Sequence, residues 1–112
     1  GGLFSQLRRP VALDGRELAL GDELFAREAL CFLDVASPGL EFEGPGGRLR
    51  MDWEGFSHLI LWSRPGAPFL CLESWTGHGD PEGFEGDLFE KPSMITLPPG
   101  AERRHSVRYG FL

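Results

Sequence analysis

The chain alternates apolar and polar residues in short runs, most of them closed by Gly, Pro or Asp. Alternation with period two sends successive side chains to opposite faces, which is the signature of strands rather than helices. "EALCFLDV" (28–35) is the first such run. "GLEFEG" (39–44) follows a Ser-Pro-Gly turn and puts Leu40 and Phe42 on one face. "GPGG" (44–47) interrupts the chain, "RLRMDW" (48–53) alternates again, and "SHLILWS" (57–63) is apolar enough to be covered on both faces. The turn "RPGAP" (64–68) leads into "FLCLESW" (69–75), so these two runs predict a hairpin. A loop of about fifteen residues follows Trp75, longer than most connections in compact domains and so a candidate functional loop. "SMITL" (93–97) resumes the strand pattern, Pro98-Pro99-Gly100 turns the chain, and "HSVRYGFL" (105–112) places His105, Val107, Tyr109 and Phe111 on one face. The helix signal is confined to residues 22–28 and is short enough to be a single turn. Six to eight short strands at this spacing predict an all-β chain, folded as a β-sandwich or as part of a larger one.

Composition supports that reading, since 16 glycines and 9 prolines in 112 residues favour many turns over long helices. The length allows one domain, residues 1–112, with a single core. The formal net charge of -6 repels nucleic acid and anionic membranes, and the arginines are dispersed rather than striped. No run reaches the roughly 18 apolar residues of a membrane helix, and no secretory signal pattern is present. Cys31 and Cys71 each lie in an apolar run, where a free thiol packs as a small hydrophobe. Two cysteines make no disulfide framework, so the expected setting is reducing and cytoplasmic. The chain begins Gly-Gly without methionine, which raises the expectation of a fragment of something longer.

The informative residue is Glu73, a carboxylate inside the apolar run "FLCLESW". Strand alternation sends Cys71, Glu73 and Trp75 to one face and Leu70, Leu72 and Ser74 to the other. A carboxylate beside an indole suits a sugar: the ring covers a C–H face while the carboxylate accepts hydrogen bonds from hydroxyls. The plainer alternative is a solvent-facing glutamate next to a tryptophan that belongs to the core or anchors the strand end.

"PFLCLESWTGHGD", the later "EKPSMITLPPGAE" and the closing "VRYGFL" together resemble the C-terminal part of the aldose 1-epimerases, or galactose mutarotases. A bacterial subgroup of these carries Cys-Ile-Glu-Pro-Trp-x-Gly, in which Leu72 here replaces isoleucine and Ser74 replaces proline. The upstream "LGDELFAREALCF" is also similar to a family segment in which an acidic turn and a phenylalanine precede a strand. The resemblance extends from about residue 10 to the end. It implies a galactose-mutarotase-like β-sandwich (supersandwich), of which this chain is the C-terminal part, acting on a hexose without cofactor or metal. It assigns Glu73 as general base. It places Trp75 in the sugar site and matches Asp22, with Phe25 three positions later, to an aspartate that holds sugar hydroxyls. Glu28 is the competing match, and Asp22 is equally explained as the cap of a short turn.

Mutarotation needs a base to take the C1 hydroxyl proton and an acid to protonate the ring oxygen. In the family the acid is a histidine from a portion that precedes the matched segments. The histidines here are His58 in an apolar strand, expected as a packed or edge residue; His78, just after Glu73 and able to line the same site; and His105, expected at the surface. Other chemistry is disfavoured. An EF-hand beginning at Asp80 would need Gly and Glu where Glu85 and Lys91 stand. "GPGGRL" (44–49) has no following helix to bind phosphate, and neither cysteine has a histidine at an interpretable spacing. A carbohydrate-binding β-sandwich without chemistry is the second functional reading. Pairing with another copy, or with an N-terminal half, would cover the apolar surface that a partial sandwich exposes.

Overall fold

The computed structural model describes residues 2–112. Six strands form two antiparallel three-stranded sheets: β1 (Leu30–Phe32), β4 (His58–Trp62) and β5 (Cys71–Trp75) in one, and β2 (Gly39–Gly44), β3 (Gly47–Glu54) and β6 (Ser106–Phe111) in the other. The central strands are β4 and β3. Helical structure among the described residues is limited to two 3-10 turns, Asp22–Phe25 and Leu88–Glu90. The all-β expectation therefore holds at the level of two antiparallel sheets.

The expected hairpin forms, and so does a second one that the sequence showed only as an interruption at 44–47. In the latter, β2 and β3 pair from Gly39 opposite Asp52 to Gly44 opposite Gly47, leaving Pro45-Gly46 as a two-residue turn. Gly47 leaves this turn at φ 122°, where an L side chain is strained. At Gly39 a Cβ would lie 2.6 Å from the Met51 carbonyl oxygen, so the strands approach closely only because that residue has no side chain. In the expected hairpin, β4 and β5 pair from His58 opposite Trp75 to Trp62 opposite Cys71. The Ala67 N–H to Arg64 carbonyl bond (2.9 Å) closes its turn.

Register decides which residues meet in the core. Leu30, Leu61 and Leu72 form one cross-strand row, and Phe32, Leu59 and Ser74 the next, all on the same face. From the other sheet, Leu40 lies opposite Met51 and Phe42 opposite Leu49. The shared cluster joins buried Leu30, Leu59 and Leu61 of one sheet to buried Met51 and Trp53 of the other, with Phe25 of the first 3-10 turn. Burial of such side chains, at about 1.5–3 kcal/mol each, is what holds the two sheets together.

Three expectations are corrected. The run 28–35 forms strand only over Leu30–Phe32, because Asp34 adopts φ 54° and turns the chain out of the ladder. The run 93–97 is not a strand: no described strand lies beside it, and alternation without a hydrogen-bonding neighbour makes no sheet. The loop after Trp75 consequently runs on to β6. It is braced by a capping box at Asp87 and Glu90 and by a Lys91–Asp80 ion pair at 2.7 Å. Finally, residues 22–25 form a 3-10 turn capped by Gly21 without any side-chain cap bond, so Asp22 is its first residue and not its cap.

Strand β6 lies at the outer edge of its sheet. Val107, Tyr109 and Phe111 stand opposite Trp53, Met51 and Leu49 on the core-side face, yet all three are exposed, Phe111 by 93%. The Tyr109 hydroxyl reaches the Leu72 carbonyl at 3.5 Å. Beyond that contact the apolar row is open.

Candidate active site

The face of the β1–β4–β5 sheet turned away from the core carries most of the residues singled out in the sequence. Alternation along β5 sends Leu70 and Leu72 to the core, where both pack against the buried cluster. Cys71, Glu73 and Trp75 are thereby placed on the opposite face. Cross-strand register adds Cys31 and Ile60 in one row with Glu73, and His58 directly opposite Trp75. The sequence pairing of Glu73 with Trp75 is realised as a bond: indole Nε1–H donates to the Glu73 carboxylate at 2.9 Å. Both residues are half-buried. The bond holds one carboxylate oxygen in place, while a carboxylate has lone pairs to spare for a further donor.

His58 is not an edge residue. It sits on the central strand, 1% exposed. Its Nδ1 accepts the Asp34 N–H at 3.0 Å, an interaction made possible by the left-handed backbone at Asp34. That acceptor role puts the neutral ring's proton on Nε2, and Nε2 is buried with no hydrogen-bond partner. Desolvation lowers the His58 pKa below its usual 6.5, opposed by the Asp34 carboxylate 3.9 Å away and aided by His78. A neutral imidazole with an unspent donor therefore stands opposite Trp75 in the register, on the sheet face that also carries Glu73.

His78 completes the group. Its ring is 5.5 Å from that of His58 and stacks on Phe4 at 4.7 Å. The N-terminal segment is held there by a backbone bridge, Phe4 N–H to the Asp80 carbonyl and Glu82 N–H to the Phe4 carbonyl, both 2.8 Å. His78 Nδ1 lies 2.8 Å from the Gly79 carbonyl, so Nδ1 carries the donating hydrogen and Nε2 is left free. A cleft of ≈ 1120 Å³ opens beside His78, bordered also by Phe4, Arg9, Glu28 and Cys31. Cys31 and Cys71 are free, but Cys31 is exposed and not packed as a small hydrophobe. Desolvation, then Glu28, then Glu73 push its thiol pKa up, while Arg9 pulls it down.

The other residues singled out in the sequence lie elsewhere. Asp22 borders a second cleft of ≈ 730 Å³ with Phe25, Phe42 and Phe69, and neither Glu73 nor Trp75 borders it. Nor do those two line the cleft beside His78. Glu73 is thus half-buried on its strand face and borders neither of these clefts. His105 is exposed, its Nδ1 2.8 Å from the Gly55 carbonyl. Sequence reasoning did not connect His58 to Glu73. Centring the hairpin on Gly66 and Ala67 would have paired His58 with Trp75 and exposed the connection. No group of three or more His, Cys, Asp or Glu able to hold a metal ion occurs among the described residues.

The chain is similar to two curated proteins of Lactococcus lactis subsp. lactis, Protein LacX in its plasmid and chromosomal forms. Each is 33% identical over 99 residues, covering 86% of this chain and 33% of the relative. The chain thus spans about a third of the length of the relatives it matches. No family model matches, and no solved structure matches. No described helix is long and apolar enough to cross a membrane.

Proposed function

We propose that this chain carries the base-bearing part of an aldose 1-epimerase-type site, interconverting the α and β anomers of a hexose. The observation that carries the reading is the Glu73 carboxylate fixed by the Trp75 indole on a half-buried strand face, with His58 opposite Trp75 and His78 against His58. The similarity of the segments around Glu73 to aldose 1-epimerases supports it, and two antiparallel sheets are compatible with a galactose-mutarotase-like sandwich.

In this reading Glu73 takes the C1 hydroxyl proton as the C1–ring-oxygen bond breaks, giving the open aldehyde. The ring oxygen leaves with the electron pair and takes a proton from an acid. Rotation about the C1–C2 bond and reclosure on the other face return both protons, so nothing is oxidised or consumed. His78 is the imidazole placed to meet a ligand, being half-buried with Nε2 free, whereas His58 is sealed. Trp75 offers its ring to the sugar's C–H face. Asp22 enters only as a hydroxyl-holding group brought by the resemblance. The open apolar row of β6 is the surface that a second copy, or the further sandwich of a longer chain, would cover.

The test is anomerisation of freshly dissolved α-glucose or α-galactose, followed by polarimetry or saturation-transfer NMR. General base catalysis contributes roughly 10²- to 10⁴-fold, so Glu73→Gln should lose most of the acceleration seen with the unsubstituted chain. Relaxation that the unsubstituted chain leaves at the buffer rate, while sugar still perturbs Trp fluorescence, would instead identify a carbohydrate-binding sandwich without chemistry.

A further inference from the structure

His78 lies on the loop after Trp75 and makes one hydrogen bond, from Nδ1 to the carbonyl of the next residue, Gly79, at 2.8 Å. So local a bond fixes which nitrogen carries the proton only while the ring is kept from turning. What keeps it is remote in sequence. The Phe4 ring stacks on His78 with centroids 4.7 Å and planes 29° apart, and the His58 ring tilts against it at 5.5 Å.

Phe4 reaches His78 through a backbone crossing that depends on two glycines. Phe4 pairs in parallel with Pro81, its N–H bonded to the Asp80 carbonyl and its carbonyl accepting from the Glu82 N–H, both at 2.8 Å. Just before this bridge Gly2 takes φ 85°, a conformation that strains other residues. Its carbonyl then passes over Gly79, where a Cβ would collide with the Gly2 carbonyl oxygen and lie 3.0 and 3.3 Å from two carbons of the Phe4 ring. The three atoms nearest to that Cβ all belong to the N-terminal segment. Residues 5–10 are exposed, and the segment's next anchor is the Arg9 guanidinium on the Leu24 carbonyl at 3.0 Å. Exposed backbone bonds with little burial behind them are where local opening is least costly.

We propose that residues 2–4 form a strap over the loop 78–82, and that Phe4 is a positioning residue for His78. With the strap closed, the ring is held with Nδ1–H on the Gly79 carbonyl and Nε2 presented to a ligand. With the strap lifted, the ring turns and either nitrogen carries the proton. The inference rests on the reading of His78 as the imidazole that meets the sugar, and it adds a conformational control of that same site. The control matters because a ring so held accepts a hydroxyl proton at Nε2 and, once protonated, returns one from the same atom.

The experiment is NMR of the full chain, unsubstituted and as Gly79→Ala, Phe4→Ala and Phe4→Tyr, with circular dichroism checking that each folds. Gly79 has no positive φ, so alanine there disturbs the crossing rather than the loop's own backbone. The Phe4 variants keep every backbone bond. Ring ¹⁵N shifts report the His78 tautomer, and amide exchange at Phe4 and Glu82 reports the strap. The unsubstituted chain should show the Nδ1–H tautomer alone. Gly79→Ala should speed exchange at both amides on the order of tenfold or more and mix the tautomers. Phe4→Ala should mix them too, and Phe4→Tyr, which keeps the stack, should restore the single form. Amides that exchange no faster in Gly79→Ala, or a single tautomer persisting in Phe4→Ala, would overturn the inference. Anomerisation of α-glucose separates it from the catalytic reading. An unsubstituted chain with the single tautomer but no acceleration keeps the strap and removes the enzyme. With acceleration present, Phe4→Ala should slow it by on the order of tenfold and Phe4→Tyr should retain it. A rate unchanged while the tautomers mix would overturn the positioning role.

Discussion

His58 offers the sharpest physical test, because a buried neutral imidazole must make stability depend on pH. Its folded-state pKa is depressed below 6.5 by desolvation, while in the unfolded chain it titrates near the ordinary value. Below pH 6.5 the unfolded state therefore binds a proton that the folded state refuses, and stability falls with pH until the folded pKa is reached. If the folded ring stays neutral, linkage across pH 7.5 to 5.5 removes about 1.4 kcal/mol, the worth of one pKa unit. The groups facing the ring act in both directions: the Asp34 carboxylate at 3.9 Å favours the charged form and His78 disfavours it, so 1.4 kcal/mol is the upper end. The assay is urea unfolding followed by Trp fluorescence at the two pH values, in the unsubstituted chain and in His58→Phe. With a urea slope of roughly 1–3 kcal/mol per M, the midpoint should move by up to roughly 0.5–1.4 M more in the unsubstituted chain. Removing the ring also removes the unpaired Nε2 donor, a defect of about 1–3 kcal/mol, and leaves the Asp34 N–H without its acceptor, so the midpoint at pH 7.5 is not the diagnostic quantity. The difference in pH dependence is. Equal pH dependence in both chains would refute the argument, since the titrating group would then lie elsewhere.

Three further outcomes follow from named contacts. Met51 is fully buried between the sheets, so Met51→Ala should cost about 2–5 kcal/mol and lower the thermal midpoint, and a loss under 1 kcal/mol would show that the two sheets do not share the core described. The Arg50 guanidinium, bonded at 2.6 and 2.8 Å, holds the Asp52 carboxyl below the usual carboxylate range, so that pair supports the fold above the ordinary pKa and ceases to do so as pH falls through the depressed one. Carbonyl-detected NMR titration of Arg50→Gln should show Asp52 titrating at higher pH; an unmoved midpoint counts against the bond. Trp75→Phe keeps the ring but removes the Nε1 donor, and the anomerisation rate should fall by less than in Glu73→Gln, since the base survives without its brace; a fall as deep as that of Glu73→Gln would make the indole N–H part of the chemistry.

The order of the strands and the hairpin across 64–68 were legible because turn residues and alternation are local. Pro45-Gly46 and the 64–68 turn fix where two of the strands reverse, and period two fixes which side chains share a face. Glu73 beside Trp75 followed from the same rule. What misled was composition without partners: 93–97 is rich in strand-favouring residues, but pairs with no described strand. Asp34 ended β1 early through a backbone conformation that alternation does not encode.

The sequence by itself determined the strand-rich class, the hairpin across 64–68, and the carboxylate–indole pair, all set by interactions within a few residues. Only the tertiary structure decided that His58 is a sealed neutral ring opposite Trp75, that His78 lies against it, and that Arg27 borders one cleft with the adjacent pair Arg8 and Arg9. Those juxtapositions depend on cross-strand register and on a chain segment folding back over a sheet face, and distance along the sequence carries no record of either.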